Sequence, residues 1–214
     1  SMLKLDSFPA GPLGCNCTIL VDPVSKEAVV IDPGDEAGRI RKRLDALGLK
    51  PVALIHTHAH VDHIGGTSGL SEALGGRILL HEKDLWLWEN LRMQAEWLGI
   101  PGHDPAKPSG FLSDADAVRF GTHALSVIHT PGHTPGSLCF HLPETDLLFS
   151  GDTLFAGSIG RTDLWGGSME EILESIRTKL LKPFEEGTHV ITGHGPATTI
   201  GDERRHNPFV GENV

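Results

Sequence analysis

The sequence predicts an α/β layered domain, and three observations carry that expectation. Short apolar runs of strand length alternate with segments of helical period. Run after run ends in polar residues ("VVIDPG", "LIHTHAH", "VIHTPGH", "LFSGD", "VITGHG"), the place where α/β sheets carry their ligand sites. The chain of 214 residues, 39% apolar, is also long enough to bury a substantial core.

The elements follow in order. "TILVDP" and "EAVVIDPG" read as two strands joined by a turn around Pro23 to Lys26. "AGRIRKRLDALGL" predicts a helix closed near Gly48 and Pro51. "PVALIHT" is a nearly continuous apolar run, suited to a buried strand, with a histidine cluster at its carboxyl end. "GGTSGLSEALGG" reads as loop and short helix, and "RILLHE" as the next strand. Residues 84–100, "DLWLWENLRMQAEWLGI", predict one helix: Leu85, Trp88, Leu91, Ala95 and Leu98 recur at spacings of three and four. Trp86, Met93 and Trp97 add a second stripe. So wide an apolar face reads as core, with a lid over a pocket as the alternative. "PGHDPAKPSG" is a Pro/Gly loop that leaves His103 exposed. "ALSVIHT", "GSLCFHL" and "DLLFSGD" are further strands. "SMEEILESIRTKLLKPF" predicts one amphipathic helix, with Ser168 as N-cap and Glu171 completing a capping box. "THVITGHG" is the last strand.

Composition removes several classes of partner. A formal net charge of −10 with no clustered Lys and Arg argues against nucleic acid; Arg39, Arg41, Lys42 and Arg43 read as a solvated helix face. No run of 18 apolar residues suggests a membrane span. "SMLKLDSF" lacks the pattern of a secretory signal, so a cytoplasmic protein is expected. The three cysteines, Cys15, Cys17 and Cys139, fit a reducing compartment. They are expected to be buried thiols, because in an extended segment the alpha carbons of Cys15 and Cys17 would lie ~6.5 Å apart, near the upper limit for a disulfide.

The stretch "HTHAHVDH", residues 56–63, packs four of the 13 histidines into eight positions. Imidazole and carboxylate together suit zinc, iron or manganese. In an extended turn, positions 58, 60 and 62 would share one face, so His58 and His60 could serve one ion, and Asp62 and His63 another. Gly65 and Gly66 follow where the backbone is expected to bend into a helix. Three further strand ends present His133 in "TPGHTPGS", Asp152 in "FSGDTLF" and His194 in "TGHGP". Five histidines and two aspartates make a full complement for two divalent ions, zinc first, with iron or manganese as alternatives. Two such ions ~3.5–4 Å apart can share a water and turn it into hydroxide near neutral pH.

This ordered set resembles the metallo-β-lactamase-fold hydrolases, from "VVIDPG" to "TGHGP". The resemblance implies a four-layer αββα sandwich with the metals at one edge, and one such domain over 1–214. It gives His58, His60 and His133 to the first ion, Asp62, His63 and His194 to the second, and Asp152 to both. It makes Asp62 and Asp152 the catalytic carboxylates, and Asp32 of "DPG" the group that orients a ligand imidazole. His56 lies outside the ligand set and is expected in the core or behind the ligands.

"GRTD", Arg161 to Asp163, resembles two branches: a short glyoxalase II-like branch that hydrolyses hydroxyacylglutathione thioesters, and persulfide dioxygenase, an oxidoreductase with one iron. "GHGP" and "TIGDERRHNPF" resemble the first. The resemblance therefore implies a thioester hydrolase acting on a small anionic substrate of the S-D-lactoylglutathione type. Hydrolysis of a thioester or ester without glutathione, and a non-catalytic metal-binding module, are the other readings. Arg161 is the candidate substrate contact, against a plain ion pair with Asp163. The C-terminal helical domain of standard glyoxalase II is not expected here, and the chain has no Tyr to hold glutathione. The lactamases of the family are expected to carry Cys where Asp152 stands.

Overall fold

The computed structural model describes residues 2–214, in two compact units. One runs to Leu112 and takes in Val118–Ala124; the other comprises Ser113–Ala117 and Leu125–Val214.

The first sheet has six strands: β1 (Lys4–Ala10), β2 (Cys15–Val21), β3 (Glu27–Ile31), β4 (Lys50–Ile55), β5 (Arg77–Leu80) and β6 (Gly110–Phe111), paired in that order. β1, β2 and β3 form an antiparallel meander, whereas β3 to β6 pair in parallel. The crossovers carry helices α1 (Ala37–Ala46), α2 (Val61–Ile64), α3 (Thr67–Leu74), α4 (Leu85–Glu89) and α5 (Leu91–Leu98). The central strands are buried along nearly their whole length: Val29, Val30, Leu54 and Ile55 are all inaccessible. That is why they read as continuous apolar runs rather than alternating ones.

The second sheet runs β14-β13-β10-β9-β8-β7, from β7 (Ala117–Phe120), β8 (His123–His129), β9 (Leu138–Leu142), β10 (Leu147–Gly151), β13 (His189–Thr192) and β14 (Thr198–Thr199). β11 (Leu154–Phe155) and β12 (Ser158–Ile159) make a small hairpin beyond β10. Helices α6 (Met169–Ser175) and α7 (Ile200–His206) supply Ile172 and Ile200 to a core that includes Cys139, Leu148 and Val190.

Three local expectations change. The segment over 84–100 is two helices, not one. Asn90 leaves helical geometry at φ −100°, ψ 29°, and its Nδ2 donates to the Trp86 carbonyl at 2.7 Å, so the side chain competes with the helix ladder. The two stripes also part company. Trp88, Leu91 and Ala95 are core, while Trp86 and Trp97 are more than half exposed. The helix after Ser168 begins with the expected cap, Glu171 N donating to Ser168 Oγ at 3.1 Å, but widens into a π-helix over Ile176–Leu181. The wider turn lets the consecutive residues Leu180 and Leu181 both face the core. His103 is half-buried rather than exposed: its ring nitrogens contact the carbonyls of Gly65 at 2.7 Å and Asp104 at 2.9 Å.

All three cysteines are free thiols and buried. Burial pushes the Cys15 and Cys139 thiols up to about 12 and Cys17 well above the ordinary thiol range. The native protein is therefore expected to release no thiol equivalent to an aromatic disulfide reagent over the time in which the unfolded chain releases three. One fast equivalent from the native protein would contradict this placement.

Among the described residues, no helix is long and apolar enough to cross a membrane.

Candidate metal centre

The first unit gathers His58, His60, Asp62 and His63 at the carboxyl end of β4. The backbone is extended through His60 (φ −69°, ψ 145°) and then closes into α2, with His63 N donating to His60 O at 2.9 Å. Asp62 and His63 therefore lie on a helical turn, not on the extended segment expected for position 62. His58, His60 and His63 are buried. The His58 ring stands edge-on to His60 at 4.8 Å between centroids, and 4.1 Å from His63.

What aims these rings is a buried carboxylate at the end of β3. Asp32 sits in left-handed backbone, φ 53°, a costly conformation for a residue other than glycine. Its Oδ1 accepts the Thr57 backbone N–H at 2.7 Å; its Oδ2 accepts the Thr57 hydroxyl at 2.6 Å and His63 Nδ1 at 2.8 Å. Because a carboxylate accepts at Nδ1, the ring carries its proton there and presents the Nε2 lone pair, the tautomer a metal needs. Cys15 Sγ also lies 3.3 Å from His63 Nδ1, which composition did not signal. His56 faces away from this cluster. Burial pushes its imidazole down to about 4, so it is neutral, donating Nδ1–H to Leu79 O and accepting the Thr67 hydroxyl at Nε2.

Two side chains hold the loop from behind, and neither was picked out in the sequence. Asp84 Oδ2 accepts Ala59 N–H at 2.9 Å. Gln94 Oε1 accepts Val61 N–H at 2.9 Å, while its Nε2 donates to the carbonyls of Ala59 at 3.0 Å and Leu87 at 2.8 Å. Both are buried. They grip residues 59 and 61, the members that alternate with the ligand candidates His58, His60 and Asp62. A polar residue inside an apolar helical stripe was the available signal for Gln94.

The glycines work by close approach rather than by bending. Gly65 and Gly66 have ordinary negative φ. A Cβ on Gly66 would stand 2.7 Å from Pro33 O, and one on Gly34 would overlap the Asp62 carbonyl. "DPG" and "HIGG" thus lie backbone against backbone, joined by Gly66 N donating to Pro33 O at 2.8 Å.

The second unit holds a separate set. His133 follows β8, Asp152 follows β10 and His194 follows β13. Asp152 Oδ2 lies 3.5 Å from His133 Nε2 and 3.4 Å from His194 Nε2, so one carboxylate oxygen faces both imidazoles. His133 Nδ1 donates to the Arg161 carbonyl at 2.7 Å, again leaving the lone pair on Nε2. The backbone leaves room for only these groups: a Cβ on Gly193 would overlap Asp152 Oδ1, and one on Gly160 would come within 3.0 Å of His133 Nδ1. Arg161 grips Asp163 through two bonds, at 2.7 and 2.9 Å, and both side chains are exposed. That pair holds the Asp163 carboxyl at about 2. The donors present, imidazoles beside carboxylates, with Nε2 of His63 and His133 freed by fixed tautomers, suit a borderline divalent ion.

Comparison with known proteins agrees with this chemistry. Hydroxyacylglutathione hydrolase GloC of Haemophilus influenzae is 39% identical over 210 residues, which cover 97% of this chain and 98% of that one. The crystal structure of the B3 metallo-beta-lactamase BLEG-1 superposes with a TM-score of 0.88 at 40% identity, covering 97% of this chain and 99% of that one. The structure of TTHA1623 in a di-iron-bound form superposes with a TM-score of 0.86 at 38% identity, covering 95% and 99%. These likenesses give the chain the metallo-beta-lactamase fold expected from its ordered His and Asp residues. The model of the metallo-beta-lactamase superfamily, whose members bind divalent metals, matches residues 10–194. A match of that extent, over strand ends that carry this donor set, makes the chain a member of the metallo-beta-lactamase superfamily.

Proposed function

We propose that the chain is a metal-dependent hydrolase of small thioesters, with hydroxyacylglutathione of the S-D-lactoylglutathione type as the substrate class. In this reading the His and Asp candidates hold two zinc ions. His58, His60 and His133 serve one ion, Asp62, His63 and His194 the other, and Asp152 is shared. The observation that carries the reading is the fixed tautomer. His63 and His133 each commit Nδ1 to a protein acceptor, which reserves Nε2 for an ion. Likeness to GloC supports the thioester, and likeness to the di-iron TTHA1623 keeps iron as the alternative metal.

When bound, two divalent ions supply a water-derived nucleophile at neutral pH and a Lewis acid for the carbonyl. The chain's own part is orientation and proton transfer. Asp62, 3.5 Å from His63 Nε2 and partly open to solvent, orients the attacking water and takes its proton. No acid is needed for the leaving group, because a thiol with an ordinary pKa of ~8.5 departs as thiolate. Cys15 and Cys17 are not nucleophiles, since burial holds both thiols protonated.

Arg161, preset by Asp163, offers a cation to an anionic carrier. Arg161→Ala is expected to raise KM for a glutathione thioester about tenfold with kcat little changed, the pattern of lost uniform binding. The exposed pair is screened by solvent and contributes little to the fold, so melting should barely move. A large drop in melting temperature with unchanged KM would make Arg161 a loop lock instead.

The test is a thioester panel including S-D-lactoylglutathione, run with metal analysis. Turnover should vanish on chelation and return with zinc. A metal-loaded protein that turns over no thioester sinks the proposal. One iron per chain, with oxygen uptake on a persulfide, would make it an oxidoreductase. The identity with BLEG-1 favours one second reading, β-lactam hydrolysis, so a cephalosporin belongs in the same panel.

A further inference from the structure

A cavity of about 240 Å³ opens within the first unit, directly beside Asp62. Its walls are apolar: Ala10, Pro12, Leu13, Val61, Ile100 and Pro101. Asp62 and Asp35 are the carboxylates on its lining. No Lys or Arg lines it, and the His103 ring on its lining has both nitrogens engaged by the carbonyls of Gly65 and Asp104.

The walls are held in place. The β1–β2 turn that carries Pro12 and Leu13 closes through Gly14 N to Gly11 O at 3.1 Å, and Gly11 N donates to Glu36 Oε2 at 2.8 Å. That bond holds the Glu36 carboxyl below the usual range. On the other side, Gly99 turns left-handed at φ 70° and Ile100 N bonds Ala95 O at 3.0 Å. Val61 is pinned by Gln94. The opening is therefore a formed pocket with Asp62 on its lining.

We propose that this pocket is the acyl subsite, and that it selects an uncharged aliphatic acyl chain longer than lactoyl. The inference rests on the hydrolase reading above and names its substrate class. A glutathione carrier is charged and polar, and an apolar pocket with two carboxylates on its lining suits neither it nor a dicarboxylic acyl group. At about 30 Å³ for a water's share of liquid volume, the pocket holds about eight water-sized groups, room for an acyl chain several carbons longer than lactoyl.

The experiment measures binding apart from turnover. Acetate, butyrate and hexanoate, the product class, are titrated into the zinc-loaded protein by calorimetry. Affinity should rise about fourfold per methylene, the value for burying one such group in an apolar site. Ile100→Phe fills the pocket, and Leu13→Asp, at an exposed rim position, places a charge at its mouth. Both should flatten that rise towards onefold per methylene. Affinities that do not grow with chain length, or a rise unchanged in both variants, overturn the subsite. The two ideas fail separately. Chain-length-dependent binding without turnover of any thioester removes the hydrolase reading and keeps the pocket. Turnover with flat affinities does the reverse.

Discussion

Asp152→Ala should leave the protein folded and nearly empty of metal at both positions, with thioester turnover down about 10²–10⁴-fold. The size follows from what the carboxylate touches. One oxygen, Oδ2, lies within 3.5 Å of both His133 and His194, so its removal takes a shared anion from two imidazole sites at once. Loss of a partner outside the ligand set already costs about 10–100-fold in metal affinity. Loss of about 3–5 kcal/mol of transition-state stabilisation corresponds to the stated rate range. His194→Ala, by contrast, should weaken one ion of the pair. Metal content by mass spectrometry after dialysis separates them: near zero per chain for Asp152→Ala, near one for His194→Ala. Equal stoichiometry in the two variants would remove the bridging assignment.

Gln94→Leu should destabilise the fold although it touches no ligand candidate. The substitution keeps bulk but strands two buried backbone groups, Val61 N–H and Ala59 C=O, and takes one of two donors from Leu87 C=O, which keeps Asn90 N–H. At about 1–3 kcal/mol for each unsatisfied group, the loss is roughly 2–6 kcal/mol. For a chain of this size each kcal/mol moves the midpoint by about 2–4 °C, so a fall of about 4–24 °C is expected by calorimetry. Gln94→Glu keeps the acceptor for Val61 N–H and loses the donors, so it should fall between. If Gln94→Leu melts within about 2 °C of the parent, the clamp does not bear on stability.

The sequence made some of this legible and hid the rest for definable reasons. Strands β3, β4 and β10 announced themselves because burial on both faces writes a continuous apolar run, and Ser168 because a cap is a local pattern. The break at Asn90 escaped because an apolar period continues through it, and one side-chain bond to Trp86 O outweighs the period. The ligand candidates stood out by composition, as histidines crowd nowhere else so densely. Their supports did not. Asp84 and Gln94 act from positions 25 and 33 residues away, through bonds to backbone atoms whose residue type carries no signature. Cys15 was likewise out of reach, since only the folded sheet brings β2 beside His63.

For anyone redesigning this enzyme, the close backbone approaches decide where variation can go. Gly34, Gly66, Gly160 and Gly193 each stand where even a methyl group would strike a neighbouring oxygen: Asp62 O, Pro33 O, Asp152 O and Asp152 Oδ1. None of the four binds anything itself, yet none can be sampled in a library without moving a ligand candidate or the segment behind it. The pocket residues Leu13 and Ile100 have no such constraint. The part of the molecule that carries the ligand candidates is closed to diversification at the glycines, and the part that would choose the substrate is open. A new specificity should therefore be sought in the turn at 11–14 and at 100–101, with the glycine positions held constant.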